Sequence, residues 1–473
     1  DPILSRTKDE MRGENFRNNA IYAQESALLD ARRKDVGDVS GAEKFSRQDF
    51  WSEEQPDYPG EAAPPHYDAA TSIQDLEGSR TGLAISGGGV RSATFALGLL
   101  QSLARENLLK HFDYLSTVSG GGYIGAELAK ALDNTADVTL IEPRSHFVHA
   151  PAMIRAVVDP SLMDRALIPY DRLLTNGRVL RARATGIDAD GVTLDNGQRV
   201  EADYIVVGTG SSNAMPFKPE GEDVEGLRRA NHRVHDQLTA ARTIGIVGAG
   251  AVGTELAGEI AHAMPDKKIT LISAHDRLFP NLPEKFGNAL AAKLQEAGVT
   301  LIFGQRAETL QSLTEPYIGS LKLSDGSEHD FDLIFPVLGS RARSELIEGL
   351  PGAQKTTANR VKVDRWLRPS SLPNVFAAGD VADTGDAMTI VATSRQLPWL
   401  KAMLKGLMAG KPLDQMKPYK PWGPRAPILI PLGPKRGNSF LVLFSTGDFL
   451  TRKMKGEDLF LKKYHKLLNQ PES

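Results

Sequence analysis

An α/β protein built on two Rossmann-like units is what the sequence predicts, and three observations predict it. Two glycine-rich turns, Gly120–Gly125 and Gly248–Gly253, each follow an apolar strand and open a helix. Another apolar strand comes after each helix, the strand–helix–strand order of a parallel sheet. More than 100 residues lie between the two units, so each can line a nucleotide-sized pocket of its own. The chain has 473 residues, room for about three domains of ~150 residues each.

Composition excludes several classes. Apolar residues at 41% and charged residues at 24% fit a folded chain rather than a disordered one. A formal charge of −3 gives no electrostatic ground for a nucleic-acid partner. Cysteine is absent, which rules out disulfides, thiolate zinc sites, cysteine nucleophiles and any redox dithiol, and no metal site is expected. No apolar run reaches the ~18 residues of a membrane helix; Ile428–Leu432 and Phe440–Phe444 are broken by Pro and Gly. With no secretory signal and no initiator Met, Asp1 reads as the start of a fragment or processed chain, cytoplasmic or peripheral to a membrane.

The elements follow in order. Residues 1–80 are polar and interrupted by Pro56, Pro59, Pro64 and Pro65, so a poorly ordered tail is expected, with a short amphipathic helix around Ile21–Arg33. Leu83–Ser86 reads as a strand, Gly87–Gly89 as a turn and Ser92–Glu106 as a helix. Strand Phe112–Val118, helix Ala126–Leu132 and strand Val138–Glu142 form the first unit. Asp190-Gly191 and Asn196-Gly197 signal hairpins, and Tyr204–Val207 is a buried strand. Strand Thr243–Gly248, helix Val252–His262 and strand Ile269–Ile272 form the second unit. Leu301–Phe303, Leu321–Leu323, Leu333–Val337 and Val375–Ala378 are further strands, and 396–473 mixes helix, turns and apolar runs.

The glycine turns have a chemical reading. In Gly248-Ala-Gly250-Ala-Val-Gly253 the first glycine allows a sharp turn, the second admits a pyrophosphate to the backbone, and the third lets helix and strand pack closely. Phosphate then sits at the positive end of the helix dipole. At the end of the next strand Ser273 stands where an acid would repel a 2′-phosphate, and His275 and Arg277 are suited to accept one, which favours tolerance of NADPH. Gly120, Gly122 and Gly125 repeat the fingerprint, and Glu142 falls 22 residues after Gly120, suited to a ribose diol. Paired with a second such unit downstream, the first reads as the ADP half of an FAD site.

From Phe112 onward these motifs, with Val207-Gly-Thr-Gly210, Val337-Leu-Gly339 and Val375-Phe-Ala-Ala-Gly-Asp380, resemble the two-dinucleotide-binding flavoproteins. Within them the chain is similar to the ferroptosis-suppressor branch of the apoptosis-inducing-factor family and, more distantly, to type II NADH dehydrogenases. Phe147-Val-His149, Ile154-Arg155-Ala156 and Asp458-Leu-Phe460 carry the branch resemblance. It implies an FAD domain (112–238 and 325–395), an interrupting NAD(P)H domain (239–324) and a C-terminal domain (396–473). It also implies that strand 112–118 lies between strands 138–142 and 375–378. Asp380 would bind the FAD ribitol with Gly379 allowing close approach, and Thr209 and Gly210 would lie along the pyrophosphate or adenosine. Arg144 joins Glu142 in the cofactor set, Gly339 lines the nucleotide side, and backbone N–H groups after Ala387 face the flavin. Glu255 would position the nicotinamide against the flavin, whereas Glu259 reads as a helix-face residue. The implied reaction is hydride transfer from NAD(P)H to FAD. Without a dithiol, electrons pass directly to an external acceptor, a quinone above all. Residues 451–468 alternate lysines and arginines with apolar side chains, which suggests peripheral membrane contact or, equally, a domain-closing segment.

Residues 82–125 are similar instead to the start of patatin-like phospholipases. Gly87–Gly89 matches the oxyanion loop, and Thr117-Val-Ser119-Gly-Gly121 the nucleophile elbow with Thr117 at the usual glycine position. That family's catalytic aspartate has no match, since Asp190-Gly191 and Asp325-Gly326 lie in hairpins. A serine without a base is a very weak nucleophile. The flavoprotein motifs are the complete set, so residues 81–111 read as a fused hydrolase-like remnant. A lipid acyl hydrolase using Ser119 is the alternative function, and a nucleotide-binding protein without turnover is the third.

Overall fold

The computed structural model describes residues 113–117, 122–218, 223–442 and 444–471. The expected tail, strand 83–86, helix 92–106, Gly87–Gly89, Ser119 and Gly120 lie outside the described residues.

β1 (Asp113–Thr117), α1 (Gly122–Leu132) and β2 (Val138–Ile141) open the first unit. The β2 side chains are all buried, as a strand covered on both faces requires. Next come α2 (Ala150–Ala156), β3 (Arg178–Leu180), a meander of three short antiparallel strands (Ala184–Ile187, Gly191–Leu194 and Arg199–Glu201) and β4 (Tyr204–Gly208). The two turns of that meander fall at Asp190-Gly191 and Asn196-Gly197, the hairpin signals of the sequence. α3 (Val224–Ala240) leads to β5 (Thr243–Val247), α4 (Ala251–Ala263), β6 (Lys268–Ile272), α5 (Glu284–Glu296), β7 (Thr300–Ile302), β8 (Tyr317–Lys322) and β9 (Glu328–Pro336). The chain returns through β10 (Val375–Ala377) to α6 (Ile390–Met408). β11 (Ile428–Leu432), β12 (Arg436–Phe440), β13 (Ser445–Thr446), α7 (Asp448–Thr451) and α8 (Leu461–Leu467) follow.

The first sheet is parallel, in the order β10-β4-β1-β2-β3. Here the expected neighbours of β1 need correction. β4 separates β1 from β10, with Leu115 opposite Val206 and Val206 opposite Phe376. Ile205–Val207 is buried on both faces, which suits an interior strand. Both edges of β1 are therefore taken.

The second sheet runs β7-β6-β5-β9-β8, with β8 antiparallel to β9. β9 pairs in parallel with β5, Ile244 opposite Leu333, so the second unit extends to Pro336 rather than ending at 324.

The C-terminal three-stranded sheet packs on α4. A Cβ at Gly258 would come within 2.6 Å of Leu432 Cα, so only glycine permits this approach. Segment 451–468 turns its apolar residues Leu459, Leu461, Tyr464 and Leu468 into the core, leaving Lys462, Lys463 and Lys466 outside. These buried residues serve closure of the domain.

Candidate active site

The turn from β5 into α4 is shaped by its glycines. Gly248 has φ +112°, and a Cβ there would lie 2.1 Å from Val337 O. A Cβ at Gly253 would meet Gly248 O at 1.9 Å, so strand and helix are in contact through glycine alone. At Gly250 a Cβ meets nothing within 4 Å. That open face is where the backbone can receive a pyrophosphate. The turn lines a cavity of about 750 Å³ that also takes in Ser273, His275, Arg277, Arg306, Gly339 and Thr389. Arg277 donates to the carbonyls of Pro280 and Leu282, so it secures its own loop.

A smaller cavity of about 160 Å³ shares Asn213, Ala251, Val252, Ser340, Met388 and Thr389 with the first. Asp380 lines it just beyond β10, where Gly379 at φ +78° turns the chain. Ser211 Oγ donates to Asp380 Oδ2 at 2.6 Å, and Lys218 Nζ lies 3.3 Å from the same oxygen. Thr389 caps α6, its side chain accepting from Ala392 N–H, and the first turn of α6 faces this cavity.

Glu255 and Lys455 form the wall nearest the second unit. Lys455 Nζ donates to Glu255 Oε1 at 2.6 Å and to Leu429 O at 3.2 Å, with both side chains buried. Burial holds the Glu255 carboxyl above its ordinary range, against the opposing pull of Lys455. One turn further along α4, Glu259 takes a bidentate grip from Arg155 of α2 at 2.9–3.1 Å. Glu259 is therefore an inter-unit clamp rather than a plain helix-face residue.

The opposite wall contains Tyr123 and Phe460. Tyr123 Oη accepts from Ala150 N–H at 3.0 Å and donates to His149 Nδ1 at 3.1 Å. His149 Nε2–H in turn donates to Leu459 O at 2.6 Å. Burial pushes the His149 pKa down to about 3, which keeps the ring neutral in this chain. Leu459 and Phe460 both have left-handed backbone, φ 53° and 66°, held in place by that bond.

At the end of β2, Glu142 is buried and its Oε1 accepts from Arg144 N–H at 3.0 Å, with the Arg144 guanidinium 3.7 Å away. A carboxylate at the end of this strand is the group that accepts from a ribose diol in such folds. Gly122 and Gly125 are buried in α1, and a Cβ at Gly122 would press on Tyr170 and Phe147. Thr209 Oγ1 donates to Arg343 O, and Gly210, at φ +69°, accepts from Arg343 N–H, so both hold the neighbouring loop.

Known proteins match this arrangement. A pyridine nucleotide-disulphide oxidoreductase model covers residues 170–396 and a second of that description covers 116–195. Apoptosis-inducing factor homolog B of Dictyostelium discoideum is 30% identical over 376 residues, spanning 75% of this chain and 97% of that protein. The chain belongs to the apoptosis-inducing-factor family. Homolog A of the same organism is 28% identical over 78% of this chain and 97% of its own length. Mouse ferroptosis suppressor protein 1 is 24% identical over 75% and 95%. In solved structures the fold resembles sulfide:quinone oxidoreductase of Aquifex aeolicus, with a TM-score of 0.60 at 15% identity, covering 76% of this chain and 92% of that one.

A member of this family is an oxidoreductase that uses FAD and NAD(P)H. The residues present fit both groups. Glu142 and Asp380 stand beyond the carboxyl ends of parallel strands of one sheet, where such folds take up nucleotides. The open Gly250 face supplies the second cradle. A patatin-like phospholipase model also matches residues 83–147. Its described part includes β1, α1 and β2 of the first unit. Asp325 accepts from Ser327 within its own turn, and Asp190 lies in the hairpin turn before Gly191.

Lys218 and Tyr123 were not singled out from sequence, and Lys455 and Phe460 were noted only in the basic segment 451–468 and the Asp458-Leu-Phe460 motif, without a place in the site. For Lys455 a signal existed. Thr451, Lys455 and Leu459 recur at spacing four and all are buried, so the lysine lies on an inward face and requires a partner.

Proposed function

We propose that this protein oxidises NAD(P)H through bound FAD and hands the electrons directly to a quinone-type acceptor. The observation that carries the reading is the meeting of two cavities over shared walls, with Asp380 on one side and Glu255–Lys455 on the other. FAD, when bound, supplies the two-electron carrier between nicotinamide and acceptor. The chain does the rest. Asp380, paired with Lys218, is placed to accept ribitol hydroxyls, and Glu142 the ribose diol of the adenosine half. The Gly248–Gly253 turn holds the pyrophosphate of the nicotinamide nucleotide and so sets the distance of hydride transfer.

Reducing a quinone to its quinol takes two electrons and two protons, and a hydride brings only one of those protons. Lys455 Nζ, a buried N–H donor on the cavity wall hydrogen-bonded to Glu255 Oε1, is placed to supply the other. The absence of cysteine supports an external acceptor over an internal dithiol.

An acceptor dissolved in lipid fits a further feature. Five of the eight large apolar side chains exposed among the described residues fall between Val442 and Met454. Phe449, 74% exposed, and Phe444 lead that group, and Lys435, Arg452 and Lys453 lie beside it in the chain. We assign peripheral lipid contact to this patch instead of to the inward-facing 459–468. No helix among the described residues is long and apolar enough to cross a membrane.

The test is an anaerobic absorbance experiment on the purified full chain. Flavin bands should bleach on adding NADPH or NADH and return on adding a short-chain quinone. A colourless folded protein refutes the flavin reading, flavin that neither nucleotide bleaches refutes the donor, and reduced flavin that the quinone fails to reoxidise refutes the acceptor.

A further inference from the structure

The 750 Å³ cavity has an unusual charge balance for a protein whose net charge is −3. Its lining includes Arg277, Arg306 and His275 and not one aspartate or glutamate. In a site selective for NADH, a carboxylate at the end of the second strand binds the ribose 2′-hydroxyl and repels a 2′-phosphate. Here Ser273 directly follows β6; it is buried, and its Oγ accepts from His275 N–H at 3.1 Å. Asp276, the nearest acid in sequence, is exposed and does not line the cavity.

The sequence offered His275 and Arg277 for a phosphate. The structure ties Arg277 to its own loop, its guanidinium donating to the carbonyls of Pro280 and Leu282. It brings in Arg306 instead, from the loop after β7. That loop is laced to the end of β6: Gly304 N–H donates to His275 O at 2.9 Å and Gln305 N–H to Ser273 O at 3.0 Å. The Arg306 backbone is fixed in turn, its N–H donating to Ser324 Oγ and its carbonyl accepting from Ser324 N–H. Its guanidinium makes no hydrogen bond or ion pair with any described residue, yet it faces the cavity. A positioned guanidinium with all its donors open matches the fork geometry of a phosphate.

We propose that Arg306 is the specificity-determining residue of the nicotinamide site, holding the 2′-phosphate of NADPH together with Ser273 and His275. The assignment rests on the reading of this cavity as the NAD(P)H site. Arg306 acts on the adenosine end, remote from the reacting atoms, so it tunes which nucleotide binds and leaves the hydride step untouched.

Calorimetric titration of the flavin-loaded protein with 2′,5′-ADP and with 5′-ADP separates binding from turnover. The native protein should bind 2′,5′-ADP more tightly. Arg306→Ala should weaken 2′,5′-ADP by about 10- to 100-fold, the loss of charge-assisted bonds to phosphate, and leave 5′-ADP unchanged. The kcat/KM ratio of NADPH to NADH should fall by the same factor, through KM, and Arg306→Lys should restore part of it. An Arg306→Ala protein that keeps the native preference, or loses both ligands alike, overturns the assignment. Failure of the native protein to bind either ligand refutes the cavity's reading as a nucleotide site, and the assignment with it. Arg306 is exposed, so its truncation leaves the core intact.

Discussion

Replacing Lys455 with methionine leaves the Glu255 carboxylate alone in a buried site. Breaking such a pair by removing one partner costs about 3–5 kcal/mol. Protonation of Glu255 offers a partial escape, and it makes the loss depend on pH. Burial already raises the Glu255 pKa above 4.5, and Lys455 is the largest influence holding it down. Without the lysine the folded carboxyl binds its proton more tightly still. A raised folded pKa contributes stability that is fully present below the unfolded value near 4.5 and lost as pH rises through the folded value. Each tenfold gain in proton affinity is worth ~1.4 kcal/mol. Lys455→Met should therefore unfold close to the native protein at pH 5 and fall behind it by roughly 5–15 °C in Tm at pH 8. Scanning fluorimetry across that range measures it. The Glu255→Gln/Lys455→Met double variant, with no buried charge left, should recover most of the loss at pH 8. Equal Tm differences from native at pH 5 and pH 8 would refute the argument, because they would mean that Glu255 is not an isolated buried acid in the variant.

The two inner glycines of the second turn should separate folding from binding. Gly250→Ala has free space and should keep the native Tm while losing at least about tenfold in NAD(P)H affinity, whereas Gly253→Val, facing Gly248 O at 1.9 Å, should lose stability as well, by circular dichroism and nucleotide titration. His149, with its pKa lowered from 6.5 to about 3, adds stability above its unfolded value that is lost as pH falls toward the folded one, at up to ~1.4 kcal/mol per pH unit. His149→Gln should flatten the acid side of the stability–pH curve relative to native in urea titrations from pH 7 to 4. Vesicle flotation tests the exposed patch: Phe444→Glu/Phe449→Glu should abolish co-flotation with anionic vesicles and leave NAD(P)H oxidation with a water-soluble quinone intact. Native protein that stays with the pellet removes the lipid contact.

Legibility followed range along the chain. Gly248–Gly253, the helix behind it and Gly379-Asp380 were readable because their chemistry is complete within a dozen residues. The apolar runs of β4 and β9 were also visible as strands, but not their neighbours, since an interior parallel strand looks alike at any position in a sheet. So β4 was left out from between β1 and β10, and β9 was given to the wrong unit. Glu255 was singled out from its place after the fingerprint, whereas its hydrogen-bond partner Lys455 lies 200 residues away, with only its spacing from Thr451 and Leu459 to mark it. The basic segment 451–468 misled in a different manner. Its alternation of lysine and leucine describes a two-sided element without saying which side meets protein and which meets something else.

The strap that carries Lys455, Leu459 and Phe460 bears on how the molecule is made. Its bond to His149 closes a loop of 310 residues and its bond to Glu255 one of 200. While the ribosome is still reading residue 440 or so, both Rossmann sheets have emerged, but one side of the small cavity has yet to be synthesised. Cofactor capture in a finished form is thus a late event, and a nascent chain stalled before Lys455 would present an open groove to solvent or to a chaperone. Such contacts of long sequence separation also form slowly, which places docking of the strap among the slow steps of folding.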